Sequence, residues 1–291
     1  MKLDLIVTAF GDSPHLRACL SSLADQWPVR AQYARLTVAT STPSEFVRTE
    51  ARRVGARYVV NPIRRSIGTD WNFALSVSEA HLVALCHQDD IYAPTFAVRM
   101  LELFGEYPGL LMASSSYTQI NGDGREGVSI VQLVKRLLMY RAFQGSQVVR
   151  GPAMRRRMFS WGNPVCCSSV VINARQLVDF RFDDSLLSNL DWDAWDRIAS
   201  LPGDVGYLDQ PLVKHRVHSC SATSGLIQDN ARPIEDLRML TRYWPPALAR
   251  AWLLVYSQAY RSHRGTSSHK PDSIPVTSAT AASNSGASAT Q

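Results

Sequence analysis

His81–Tyr92 reads HLVALCHQDDIY, and this stretch decides the fold. His81–Cys86 is a short apolar run of strand length. It passes directly into His87-Gln88-Asp89-Asp90. A strand this uniformly apolar belongs in the middle of a parallel sheet covered on both faces. In such sheets, ligands bind at the carboxyl ends of the strands. The run therefore delivers an imidazole and two carboxylates to a binding edge. Hard oxygen ligands of this type suit Mg²⁺ or Mn²⁺, which take a few carboxylates and complete their shell with substrate phosphate oxygens. Asp90 alone could equally cap a helix starting near Pro94–Thr95, but Asp89-Asp90 together with His87 is harder to explain that way.

The residues before this segment repeat one pattern. Leu3–Phe10 is a short apolar strand, after which Leu16, Cys19, Leu20 and Leu23 fall on one helical face. Leu36–Thr40 is a second strand. Thr42-Pro43-Ser44-Glu45 has the form of a capping box with Pro at the first helical position, opening a helix that ends near Gly55. Tyr58–Val60 is a third strand and Thr69–Ala80 a third helix. This alternation predicts an α/β fold with a mostly parallel sheet and helices on both faces.

Farther along, Leu110–Ile120 reads as a strand closed by the turn Asn121-Gly122-Asp123-Gly124. Ser129–Phe143 and Ala153–Trp161 read as basic helices, Ser168–Ile172 as a strand and Asp191–Ser200 as a short helix. Gly206–Val217 reads as extended. Pro233–Arg261 is helical with a break at Pro245-Pro246. Arg264–Gln291 is Ser/Thr/Ala-rich and cannot bury enough apolar surface to offset its ordering entropy, so it reads as a disordered tail. The expected organisation is a main domain over 1–225, a helical extension over 226–263 and a tail over 264–291.

Two further constellations carry chemistry. In Asn189-Leu190-Asp191-Trp192-Asp193-Ala194-Trp195, Asp191 opens a helix between two tryptophans. A carboxylate beside apolar rings is partly desolvated, which raises its pKa and suits it to general-base work; a plain helix N-cap is the competing reading. In Val213-Lys214-His215-Arg216-Val217-His218, strand alternation puts Lys214, Arg216 and His218 on one face, where they could meet a diphosphate. A solvated edge strand would look the same.

The chain has 291 residues, 45% of them hydrophobic, with a formal charge of +6 from 31 Lys+Arg against 25 Asp+Glu. That excludes a fully disordered chain and points to an anionic partner. No apolar run reaches the roughly 18–20 residues of a membrane span. The opening MKLDLIVTAFGDS reads as a first strand, not a secretion signal. The five cysteines follow no disulfide or zinc spacing, which fits reduced thiols in a cytoplasmic protein.

The order of these motifs resembles the family-2 glycosyltransferases of GT-A fold. The resemblance runs over roughly residues 3–225: LDLIVTAF-GDSPHLRACLSSLADQ, then Asn61 to Leu75, then CHQDDIYAP, FRFDDSLLSNLDWDAWDRIA and HRVHSCSAT. It implies a GT-A (Rossmann-like) sheet with a C-terminal helical extension. It also implies inverting transfer of a sugar from a nucleotide-sugar to a hydroxyl acceptor, with a divalent metal, Mn²⁺ or Mg²⁺. By resemblance Asp89 is a metal ligand, His218 completes the metal and diphosphate site, and Asp191 is the catalytic base, with Leu190 in place of the usual Glu. His87 stands where the family has its first Asp. Thr8, Ala9 and Phe10 match the nucleotide-holding loop; Gln88, Asp70, Asn72 and Arg216 lie on the donor side. The acid that the family often carries after its second strand is missing from Ala39-Thr40-Ser41-Thr42, where Ser41 could substitute. The implied acceptor is a sugar or a lipid-linked sugar in cell-surface polysaccharide or glycolipid synthesis. The implied place is the cytoplasm, with the inner face of the membrane open to it.

Three other classes compete. A nucleotidyltransferase would carry a basic, Gly-rich loop after the first strand, and Thr8–Asp12 has no Lys or Arg. A non-catalytic nucleotide-sugar binder fits the departures at His87 and after the second strand. Nucleic-acid binding is prompted by the charge, but Lys135, Arg136, Arg141, Arg150, Arg155, Arg156 and Arg157 are interleaved with Met139, Tyr140, Phe143 and Trp161. That mixture also fits peripheral contact with an anionic membrane, and a plain solvated helical face over the core would look the same.

Overall fold

A computed structural model describes residues 1–26, 34–218 and 231–254. Its centre is a mixed sheet in which β1 (Leu3–Ala9) lies between β2 (Ala34–Thr40) and β4 (Leu82–His87), both parallel to it, while β3 (Arg57–Val60) extends the parallel part beyond β2. The second half continues from β4 through β9 (Val171–Asn173), β6 (Leu110–Ile120) and β10 (Asp204–Arg216) to the short β5 (Ile91–Tyr92). Strand β9 is antiparallel to both neighbours, whereas β6 and β10 are parallel to each other. Strands β7 (Glu126–Gly127) and β8 (Val148–Arg150) pair with β6 and β10.

Strand alternation divides the apolar residues between two cores. Leu3, Leu5 and Val7 of β1, with Leu82, Ala84 and Cys86 of β4, face one side. There they meet α1 (Leu16–Ala24), α2 (Glu45–Arg53) and α4 (Phe96–Glu106). Ile6, Val83 and Leu85 face the other side, against α3 (Ile67–Ser76), α5 (Ile130–Phe143), α6 (Pro152–Phe159), α7 (Leu190–Ala199) and α8 (Ala231–Leu240). This is the period-two logic of a strand buried on both faces. Met239, Leu240 and Ala249 belong to the second core, so the described part of the C-terminal helical segment packs into the same body as the sheet. That segment is helical over 231–240 and 246–254, interrupted beside Pro245-Pro246. The reading of 264–291 as a tail lies outside the described residues.

Local boundaries shift in physically intelligible ways. Helix α2 is capped by Ser44, whose hydroxyl accepts from Val47 N at 3.1 Å, a contact worth about 1 kcal/mol. The expected box at Thr42 therefore moves two residues on, and Pro43 precedes the helix. Helix α3 begins at Ile67 because Ser66 caps it, accepting from Thr69 N. The strand expected at Ser168–Ile172 is a 3₁₀ turn over Cys167–Ser169 followed by β9.

Candidate active site

Strand β4 ends at His87, which pairs across the sheet with Thr8. The two carboxylates after it go in different directions. Asp89 faces the open edge: its Oδ1 accepts from Ser13 Oγ at 2.8 Å, and its Oδ2 lies 3.2 Å from His218 Nε2. The His15 ring packs edge-on to His218, with centroids 5.1 Å apart. Asp90 instead turns inward and is 1% exposed. It accepts from Arg216 N at 2.8 Å, and His215 Nδ1 lies 3.1 Å from its Oδ1. Burial pushes its carboxyl up, but the His215 ring and its hydrogen bonds outweigh that and hold it down to about 2. Asp90 is thus not the cap of α4, whose N-cap Thr95 makes no side-chain bond; it fastens the end of β10 to the end of β4.

The cations of β10 are drawn to protein partners. Lys214 Nζ bonds Glu126 at 2.7 Å. Arg216 is buried, with Nε on the Asp89 carbonyl and Nη1 on the carbonyls of Asn121 and Gly122. Of Lys214, Arg216 and His218, Lys214 goes to Glu126, His218 lies beside Asp89, and Arg216 braces the loop while its charge is felt at His15, which packs on His218.

The donor-side loops are tied together by side-chain amides and hydroxyls. Gln88 bonds both backbone groups of Phe10, Oε1 to its N–H and Nε2 to its carbonyl, each at 3.0 Å. Its amide extends the sheet by one rung, so Gln88 shapes the loop and keeps one Nε2 N–H outside that pairing. The Phe10 ring is 53% exposed, with the Arg64 guanidinium 5.2 Å from its centroid. Gly11, at φ 62°, donates to Thr42 Oγ1 at 2.7 Å and joins the β1 and β2 loops. Asn72 pairs with the backbone of Phe182 in the same manner as Gln88 with Phe10, at 2.9 and 2.8 Å, and is likewise a staple. Asp70 is different. Its carboxylate accepts from Ser41 Oγ and from Asn61 Nδ2, each at 2.9 Å. The acid missing from the second-strand loop thus arrives beside Ser41 from helix α3.

Asp191 occupies the second position of α7; Asn189 is the N-cap. The carboxylate is half-buried, accepts from Asn163 Nδ2 at 2.7 Å and from Trp192 N at 2.8 Å. Burial pushes its pKa above the ordinary value, opposed by the charge of Lys135 and the Trp192 amide. His87 sits between the two acid sites: its ring feels Asp89, Asp90 and Asp191, and burial lowers its pKa. Its ring stacks on Trp71 at 5.7 Å, and its Nε2 is buried without a hydrogen-bond partner. An orphaned polar atom of this kind is an unmet demand that a bound polar group could fill.

Asp89 and His218 fit a divalent cation that keeps open positions for substrate oxygens: one hard carboxylate, one imidazole, side by side at the sheet edge. Among the described residues, no cluster of three or more His, Cys, Asp or Glu forms a complete metal cage.

No protein-family model matches the chain, and no curated protein does. Solved structures do. S. aureus TarS 1-349 in complex with UDP-GlcNAc superposes with a TM-score of 0.60 at 14% identity, over 90% of this chain and 73% of that one. Glucosyl-3-phosphoglycerate synthase from Mycobacterium tuberculosis, in complex with Mn²⁺ and UDP-glucose, gives 0.54 at 16%, over 83% and 78%.

The fold is GT-A. Within this GT-A chain, sequence reasoning missed several residues that gather at the site. Ser13 and His15 join Asp89 and His218 from the loop after β1, Asn163 orients Asp191, and half-buried Lys135 charges its surroundings. The signal for Ser13-Pro14-His15 was a polar cluster at a strand's carboxyl end. Asn163 and Lys135 left no such signal, because their approach to Asp191 depends on how α5 and α6 pack.

Proposed function

We propose that the chain is a family-2, inverting glycosyltransferase. The observation that carries this is two unlike acid sites near the end of β4: Asp89 beside His218, both partly exposed, and Asp191 on α7, desolvated and held by Asn163. One carboxylate paired with an imidazole and one desolvated on a helix suit different work, metal binding and proton abstraction.

In this reading the nucleotide lies over Thr8, Ala9 and Phe10, with its base near Ser41 and the Asp70 carboxylate. His87 Nε2 faces the donor sugar. Asp191 takes the proton from an acceptor hydroxyl. The acceptor oxygen forms its bond to the anomeric carbon as the bond to the diphosphate oxygen breaks, and the electron pair leaves with the nucleoside diphosphate. Approach from the opposite face inverts the anomeric centre. Asp89 and His218 would hold a Mn²⁺ or Mg²⁺ ion, which when bound neutralises charge on the leaving diphosphate. The acceptor is a sugar hydroxyl of a cell-surface polysaccharide or glycolipid, and the reaction is placed on the cytoplasmic side. The fold's likeness to structures solved with UDP-sugars supports a uridine nucleotide in particular.

A panel of nucleotide-sugars with Mn²⁺ tests this. One donor should raise the Tm and release diphosphate when an acceptor is present. Asp89→Ala should lose the metal-dependent part of nucleotide binding by calorimetry. A panel without stabilisation or turnover would end the proposal.

A further inference from the structure

Helix α5 turns an apolar face to the outside. Ile130, Leu133, Val134, Leu137 and Tyr140 follow helical spacing and are each at least half exposed, up to 76% at Ile130. The buried side of the same helix is made by Gln132, Met139 and Phe143. Exposed apolar side chains scattered singly need no explanation; a contiguous stripe marks an interaction surface. Arg136 and Arg141 flank the stripe, and both are exposed. The helix has no acidic residue, and Glu126 before it is bonded to Lys214. On the neighbouring α6, Arg157 is exposed as well, whereas Arg155 is buried on the carbonyls of Ala199 and Leu201. The outward charge around the stripe is therefore positive. An apolar face bordered by cations matches the interface of an anionic bilayer, with chains below and phosphates level with the arginines.

We propose that α5 is an in-plane docking helix that seats the protein on an anionic lipid surface. Among the described residues no helix is long and apolar enough to cross a membrane, so attachment through this face is peripheral. The helix has a second role by position. Lys135, on its inner side, shares a small pocket with Ser116, Tyr117, Cys166 and Tyr207, and its charge reaches Asp191. The helix that meets lipid thus also carries, on its inner side, a cation whose charge reaches the proposed base. Resting on the glycosyltransferase reading, this assigns the acceptor class: an amphiphile whose sugar is presented at the bilayer surface.

Flotation of the full chain with phosphatidylcholine vesicles, with and without about a third phosphatidylglycerol, tests the docking. The expected result is recovery with the anionic vesicles, falling at least fivefold in high salt. Leu133→Asp with Leu137→Asp should abolish flotation while leaving the Tm unchanged, since both side chains are already exposed. Arg136→Glu with Arg141→Glu should remove the preference for anionic vesicles. Equal flotation of the Asp variant would overturn the proposal. So would a dimer in analytical ultracentrifugation that the Asp variant dissociates, because a second copy would then cover the stripe. These readouts need no turnover, so docking can fail while transfer to a water-soluble acceptor succeeds, and the reverse.

Discussion

Asp191 and Asp90 show opposite uses of a carboxylate. Asp191 is desolvated and its pKa is raised, so its ionised form is disfavoured in the folded chain. As a base it must be ionised; transfer should therefore fall as pH drops through a value above the ordinary aspartate range. The sign for stability is the reverse of a paired carboxylate: the unfolded chain ionises first, so stability falls as pH rises across the two values and stays lowered above them. Asp191→Asn should remove that penalty, leaving the Tm equal or higher at pH 7, while transfer drops by about 10²–10⁴-fold. Donor binding should persist; an Asn variant within tenfold of the parent would remove Asp191 from the role. Asp90, held down to about 2, contributes stability above the unfolded value that is lost as pH falls through 2. Asp90→Ala should leave His215 and the Arg216 amide without their partner and cost about 3 kcal/mol or more in urea melts. The sequence showed Asp89-Asp90 as a pair. The resemblance singled out Asp89 as a metal ligand, but the fastening role of Asp90 was not readable, because its partners lie 125 and 126 residues away.

At the scale of elements, the parallel half was legible because each β-α step is local and periodic. Strands β5, β7 and β8 were not, since two or three residues carry no period. The site's supports were also illegible. The resemblance puts Gln88 and Asn72 on the donor side; that their amides also act as surrogate backbone for Phe10 and Phe182 has no sequence signal. Asp70 reaches Ser41 from α3, a helix that packs closely at Gly68 against Asp184 and Leu190. A Cβ there would fall 2.7 Å from the Cα of Asp184 and 2.7 Å from Cδ2 of Leu190. Backbone cannot yield as a flexible side chain can, so Gly68→Ala should shift α3 outward. The expected cost is about 1–3 kcal/mol of stability, seen as a lower urea midpoint at unchanged slope. Because Asp70 and Asn72 ride on the same helix, nucleotide affinity should fall with it, whereas Asp191, on α7, should keep its pH profile. A parental midpoint for Gly68→Ala would show that α3 is free to move.

Across the whole molecule, the C-terminal helical segment determines how firmly the proposed base is held. The family resemblance, which stops near residue 225, sets it apart as an extension, and in the structure its described part packs into the second core of the sheet domain. Met239 and Leu240 of α8 are fully buried in the core that also contains Trp192 and Trp195. Glu235 accepts from the backbone N–H groups of Leu187, Ser188 and Asn189 at 2.7–2.9 Å, and Asp236 accepts from Asn189 Nδ2 at 2.7 Å. These bonds fix the three residues that lead into α7, two positions before Asp191. Arg242 adds a clamp on Asp193 and Asp196. A chain ended at residue 230 should therefore lose its cooperative thermal transition instead of yielding a smaller stable enzyme. Glu235→Ala separates stapling from core burial, since it removes the acceptor and leaves Met239 and Leu240 in place. Three N–H groups then lose their partner, at a cost of about 1–3 kcal/mol. With the approach to α7 loosened, kcat should fall more than nucleotide affinity, because Thr8, Ser41 and Asp89 lie on elements that α8 does not hold. Glu235→Gln keeps one acceptor oxygen and should restore most of both. A 1–230 chain melting in one transition at the parental Tm would refute the integrated core, and equal losses in kcat and donor affinity for Glu235→Ala would refute the staple.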